Sequence, residues 1–204
     1  AQFTTLLGIE MHSGAQDNGE LWHLLAVGMP ADFAPSHTPD FQPVDGQETG
    51  PEIAQRAREA GAFVAIAHPQ WSGLTEHDAR SIEAAHAVEV YNHGCHTLSD
   101  RGTGMPILEL LLSEGRKLNL IATDDAHFKG PDAFGGWVMV KAVANTPEDL
   151  LAALKTGQFY ASQGPEIHGI WYESDKIRVK SSAASTVIVQ GYNNATMDVC
   201  GESL

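Results

Sequence analysis

Basic residues are scarce in this chain: 12 Lys and Arg stand against 26 Asp and Glu, a formal charge of −14 over 204 residues. No basic run is long enough to follow a phosphate backbone, which argues against a sequence-specific nucleic-acid partner. Cysteine is scarcer still. Cys95 and Cys200 are the two present, too few for a disulfide framework and without paired metal-ligand spacing. Long apolar runs are missing too: "PILELLLSEG" and "GAFVAIAH" fall short of the roughly 20 residues a membrane span needs. The opening "AQFTTLLGIE" lacks the basic flank of a secretory signal. The chain therefore reads as soluble, with the cytoplasm favoured and no membrane partner. It starts without Met and enters an apolar stretch at once, as expected of a span taken from a longer protein.

What is present is enough for a core. Hydrophobic residues make up 43% of the chain, which suits one globular domain or one domain plus a fragment. "TTLLGIEMH" and "ELWHLLAVG" read as two strands around the turn signal Asn18-Gly19. After a Pro-rich loop, "TGPEIAQRAREAGA" has a Thr49-x-x-Glu52 capping box, Pro51 in the first turn and Gly61 at the end, the marks of a helix. Strand "AFVAIAH", helix "TEHDARSIEAAH" capped by Thr75, and strand "AVEVYN" follow. Helix "MPILELLLSEG", strands "KLNLIATDDAH" and "GWVMVKA", and helix "NTPEDLLAALKTG" with Thr146 as cap continue the alternation. Strands alternating with helices predict an α/β fold with a parallel sheet or barrel. Past Gly164 the texture changes to short strands without helices, so residues 1–163 form one expected domain and 164–204 the start of a β-rich module.

The polar residues collect where the strands end. In a parallel barrel that is where chemistry sits. His68 ends one strand, Asn92 the next, and "IATDDAHF" (121–128) puts Asp124, Asp125 and His127 behind a third. On an extended backbone, residues two apart share a face, so Asp125 and His127 would point together as metal ligands. The other reading is an Asp that caps a turn and a His that sits hydrogen-bonded at the surface. Glu10 and His12 share a strand face, with His23 on the neighbouring strand. Several His and carboxylates at one end favour metal, because burying unpaired Glu10 or Asp125 costs several kcal/mol. Imidazole and carboxylate without thiolate suit zinc, manganese or iron(II). A divalent ion would also give an acidic chain the local positive charge an anionic substrate requires, so metal-assisted hydrolysis is the expected reaction class.

In order, "GIE" (8–10), "HLLAVG" (23–28), "IAHP" (66–69), "EVYN" (89–92) and "TDDAHF" (123–128) resemble the motifs of the PHP family, the polymerase and histidinol phosphatase domains. The resemblance covers roughly residues 6 to 163. It implies a distorted (β/α)7 barrel that hydrolyses phosphate esters of small substrates with two or three divalent metal ions. Glu10 would be the metal-bridging glutamate, His23 and His68 imidazole ligands, and Asp125 and His127 the closing pair. The family's opening His-x-His motif does not precede "GIE", and His12 follows the glutamate instead of preceding it. The barrel is therefore expected to be N-terminally incomplete.

Around that set, Glu10, His68, Asp125 and Arg101 are the expected catalytic residues, Arg101 reaching a substrate phosphate through its planar guanidinium or remaining a solvated loop arginine. Trp71 would wall the pocket or pack its own loop. Asp124 supports its neighbours; His93, Cys95 and His96 are too crowded for a structural zinc site. His37, His77, His86 and His168 fall in loops or on helix surfaces. Two other functions compete: a degenerate module that binds a ligand or partner without catalysis, and a hydrolase of C–N bonds, for which no Lys stands where a carbamylated bridge would be expected.

Overall fold

The computed structural model describes residues 3–44, 46–192 and 195–200, so the first two and last four residues of the two spans read from the sequence lie outside it. Two compact units divide at Ala161 and Ser162. In the first, β1 (Gly8–Ala15), β2 (Leu21–Val27), β3 (Phe63–Ile66), β4 (Ala87–Asn92) and β5 (Asn119–Thr123) form one five-stranded sheet in that order. β2 runs antiparallel to both β1 and β3, while β3, β4 and β5 are parallel to one another.

This corrects the (β/α)7 barrel. The sheet is open and mixed, with β1 and β5 at its edges. The hairpin around Gly19, closed by Gln16 N–H to Glu20 O at 2.8 Å, makes β1 and β2 antiparallel from the outset. The parallel run is then only three strands, too short to curl shut. β6 (Trp137–Val140) does not extend it; it pairs with β7 (Phe159–Ser162) in a separate sheet.

Side-chain alternation packs both faces. Leu24, Ala26, Val64, Ile66 and Val88 join one cluster with Ile53 of α1 (Gly50–Glu59), Ala79 of α2 (Glu76–Ser81), and Leu108 and Leu111 of α4 (Met105–Ser113). The intervening Leu25, Val27, Phe63, Ala65 and Ala87 face a second cluster with Val138, Phe159 and Leu151 of α5 (Pro147–Lys155). Each fully buried Leu or Ile contributes about 1.5–3 kcal/mol. The helix starts carry their caps: Thr75 and Thr146 accept from Asp78 N–H and Asp149 N–H, and Glu52 accepts the Thr49 N–H at 2.8 Å. α3 (His93–Ser99) has no counterpart in the sequence reading.

The second unit holds two antiparallel hairpins, β8 (Ile167–Glu173) with β9 (Lys176–Ser181) and β10 (Thr186–Gln190) with β11 (Thr196–Cys200). Arg178 lies over the Trp171 ring at 4.7 Å and pairs with Glu173 at 3.0 Å. Ile170, Tyr172, Ile188 and Met197 are exposed.

Candidate metal centre

Glu10 faces Leu25 across the β1–β2 ladder and His12 faces His23, so Glu10 and His23 are diagonal neighbours on one face, within reach of long side chains. His68 comes off the end of β3. The three meet: Glu10 Oε1 lies 2.6 Å from His23 Nδ1 and 3.0 Å from His68 Nε2, and one ligand atom from each residue lies within 4.8 Å of the other two. Two imidazole nitrogens and a carboxylate oxygen in one cluster match the donor set of zinc, manganese or iron(II).

The electrostatics favour a cation there. Burial works to raise the Glu10 pKa, but hydrogen bonds and charge from His23 and His68 outweigh it and hold the carboxyl well below its usual range. Burial opposes the charged form of His68, yet Glu10, Glu89 and Asp125 together raise its pKa. A proton or a metal ion satisfies the same arrangement.

Asp125 and His127 are not in the three-residue group. β5 ends at Thr123 and Asp125 has a left-handed φ of +51°, so the rule that residues two apart share a face does not reach them. Asp125 Oδ2 instead accepts from Asn92 Nδ2 at 3.2 Å and lies 3.9 Å from Cys95 Sγ. His127 is largely exposed; its Nδ1–H donates to the Asp125 carbonyl at 2.9 Å, which leaves the Nε2 lone pair free for a ligand. All five residues nevertheless line one cavity of about 950 Å³, and Arg101 lines it with them.

Trp71, His12 and Phe41 also line the cavity, whereas Asp124, His93 and His96 do not. The Trp71 ring stands edge-on to His23 and His68, at 5.5 and 5.0 Å between centroids. Buried His12 stacks on Phe41 at 4.6 Å. Asp124 is a loop clasp: its carboxylate accepts the N–H groups of Phe134, Gly135 and Gly136 at 2.6, 2.9 and 2.9 Å. His93 is tied to the Tyr91 hydroxyl at 2.9 Å and His96 lies 3.7 Å from Asp100.

Sequence reasoning missed Glu89. It is 1% exposed and accepts the His68 N–H at 2.6 Å, Asn92 Nδ2 at 3.0 Å and the Thr123 hydroxyl. Asn92 in turn reaches Asp125 and caps α3 by accepting the Cys95 N–H at 2.8 Å. A single carboxylate inside the apolar "AVEVYN" was the signal, since a buried charge without partners is costly. Burial dominates its titration and raises its pKa despite those donors.

No family model, curated protein or solved structure matches the chain.

Proposed function

We propose that this chain is a metal-dependent phosphoesterase acting on small phosphorylated substrates, as the ordered motifs that resemble the PHP family imply. The observation that carries this reading is one carboxylate oxygen, Glu10 Oε1, shared by His23 Nδ1 and His68 Nε2 on the wall of an open cavity. Glu10, His23 and His68 would hold the ion, and His127 would offer a donor for a second. A divalent ion bound there supplies Lewis acidity and makes a bound water more acidic. The protein's own groups do the rest. Glu10 is ionised at neutral pH because its two histidines favour the carboxylate. Arg101 on the cavity wall suits a phosphate through its bidentate guanidinium. Asp125, steadied by Asn92 at Oδ2, takes up the proton of the attacking water. Among the described residues no helix is long and apolar enough to cross a membrane.

The test is metal content of the purified protein, with hydrolysis of p-nitrophenyl phosphate and its bis-ester before and after chelation. Bound metal and chelator-sensitive turnover support the proposal. A protein that takes up no zinc, manganese or iron and hydrolyses neither ester defeats it. The position of Asp125 and His127 outside the three-residue group favours the second reading, a module that binds a ligand without catalysis. Metal binding with no turnover selects that reading.

A further inference from the structure

A second concentration of charge lies at the other end of the parallel strands. Arg58 is in the last turn of α1, His86 directly precedes β4, Arg116 and Lys117 lead into β5, Asn119 opens it, and Lys155 ends α5. These six residues line a cavity of about 280 Å³. The metal-centre residues His68 and Asp125 follow the opposite ends of the same strands. At about 3.3 Å per residue, the six steps from His86 to Asn92 separate the two ends by roughly 20 Å.

Four of the chain's 12 Lys and Arg meet here, in a protein of net charge −14. Three arginines elsewhere are matched, Arg56 with Glu48, Arg80 with Glu76 and Glu114, and Arg178 with Glu173, and among the described residues the other basic ones do not gather in a cavity with three more of their kind. Among the described residues, no ion pair within 4.0 Å engages Arg58, Arg116, Lys117 or Lys155. Glu83 also lines the cavity and offsets part of the charge. Helix C-termini attract cations, each with about half a negative charge, which accounts for Arg58 and Lys155 but not for the excess.

The two arginines are fixed by backbone carbonyls. Arg58 Nη1 donates to Ala84 O at 3.0 Å, and Arg116 donates through Nη1 to Ala79 O at 3.3 Å and through Nη2 to Ile82 O at 2.8 Å. Their positions are set while their charge stays unmatched by a close carboxylate. His86 Nδ1 accepts the Val64 N–H at 3.1 Å, so its proton is on Nε2, a neutral donor on the same wall. Lys117 and Lys155 are exposed and free to swing onto a ligand.

We propose that this cavity binds a small multivalent oxyanion of the phosphate type. Preplaced cations with two adjustable ones suit such a ligand. The volume falls below the range of about 300–1,000 Å³ for drug-sized ligands, so the occupant is inorganic phosphate, pyrophosphate or the phosphate end of a larger molecule. The site is independent of the metal centre.

The probe is pyrophosphate, titrated calorimetrically into chelator-treated protein at low salt, which removes any metal-held phosphate at the opposite end. The parent binds one equivalent. Lys117→Gln/Lys155→Gln, a change of two exposed side chains, weakens binding at least about tenfold, and Arg101→Gln leaves it unchanged. Absence of saturable binding by the parent overturns the proposal, as does equal affinity in the double variant or loss of binding in Arg101→Gln. Circular dichroism confirms that the double variant is folded. Hydrolytic activity does not enter the readout, so the outcome is separate from that of the phosphoesterase assay.

Discussion

Glu89, on β4, accepts the backbone N–H of His68 from the adjacent β3 chain at 2.6 Å. The bond anchors His68 at its main chain while its ring reaches Glu10. A buried carboxylate that also receives Asn92 and Thr123 thus holds the exits of three parallel strands together.

Removing that carboxylate orphans the His68 N–H and the Thr123 hydroxyl and leaves Asn92 Nδ2 with Asp125 alone, each orphan costing about 1–3 kcal/mol when buried. We predict that Glu89→Ala loses on the order of 3 kcal/mol or more in urea denaturation, and that Glu89→Gln loses less because its carbonyl keeps part of the set. Equal loss in both variants, or none in either, would contradict the anchoring role.

The shared oxygen of Glu10 predicts metal-dependent stability. An ion at 100 times its dissociation constant adds about 2.7 kcal/mol to a protein that binds it only when folded. Added zinc or manganese should raise the melting temperature of the parent and leave Glu10→Ala and His68→Ala without that rise. A shift of the same size in the parent and both variants would place the ion elsewhere.

The parts of this site that are legible in the sequence are the local ones. Glu10 and His23 come together because a hairpin signal at Asn18-Gly19 lies between them, and the caps at Thr75 and Thr146 mark helices that form. Sheet closure is a non-local property, set by which strand edges meet, and a strand-helix alternation after β2 says nothing of whether the later strands add to the same sheet; β6 pairs with β7 instead. α3 was hidden because "HGCHTLS" combines Gly with weak helix formers; its start depends on the Asn92 cap. An extended strand continued past Thr123 would align Asp125 with His127, but Asp125 itself is left-handed. Glu89 went unread because its partners come from β3, from its own strand end and from β5.

Cys95 carries a chemical signature of the same environment. Burial and the charges of Asp125, Glu89 and Glu10 push its thiol up to about 12, so the thiolate is roughly one part in ten thousand at pH 8. Iodoacetamide at pH 8 should leave Cys95 of chelated protein unmodified for hours, as peptide mass spectrometry would show. Rapid alkylation at Cys95 would mean that its surroundings are more open or less negative than this.

His86 predicts a pH dependence at the opposite end. Burial first, then Arg58 and Lys155, lower its pKa from 6.5. Between 6.5 and that depressed value the unfolded chain binds the proton more readily, so His86 contributes stability above pH 6.5 that is lost as pH falls through the window. His86→Asn keeps an acceptor for the Val64 N–H and removes the titration. Between about pH 7.5 and 5.5 the parent's melting temperature should therefore fall further than the variant's; parallel slopes would show that His86 does not titrate differently on folding.

Asp125 separates metal holding from chemistry. It lines the cavity with Glu10, His23 and His68, but it stands outside their group and its Oδ2 is tied to Asn92. If it takes up the proton of the attacking water, its loss should cost turnover more than metal, since positioned proton transfer contributes about 10²–10⁴-fold. Asp125→Asn is the informative variant: Asn tolerates the left-handed backbone at φ +51° and keeps the shape while losing the basic oxygen. We expect near-parental metal content and a kcat lower by about 10²-fold or more on p-nitrophenyl phosphate. Should metal content fall in step with kcat, Asp125 is a ligand of an ion instead of a proton acceptor. Should neither change, the chemistry does not use this residue at all.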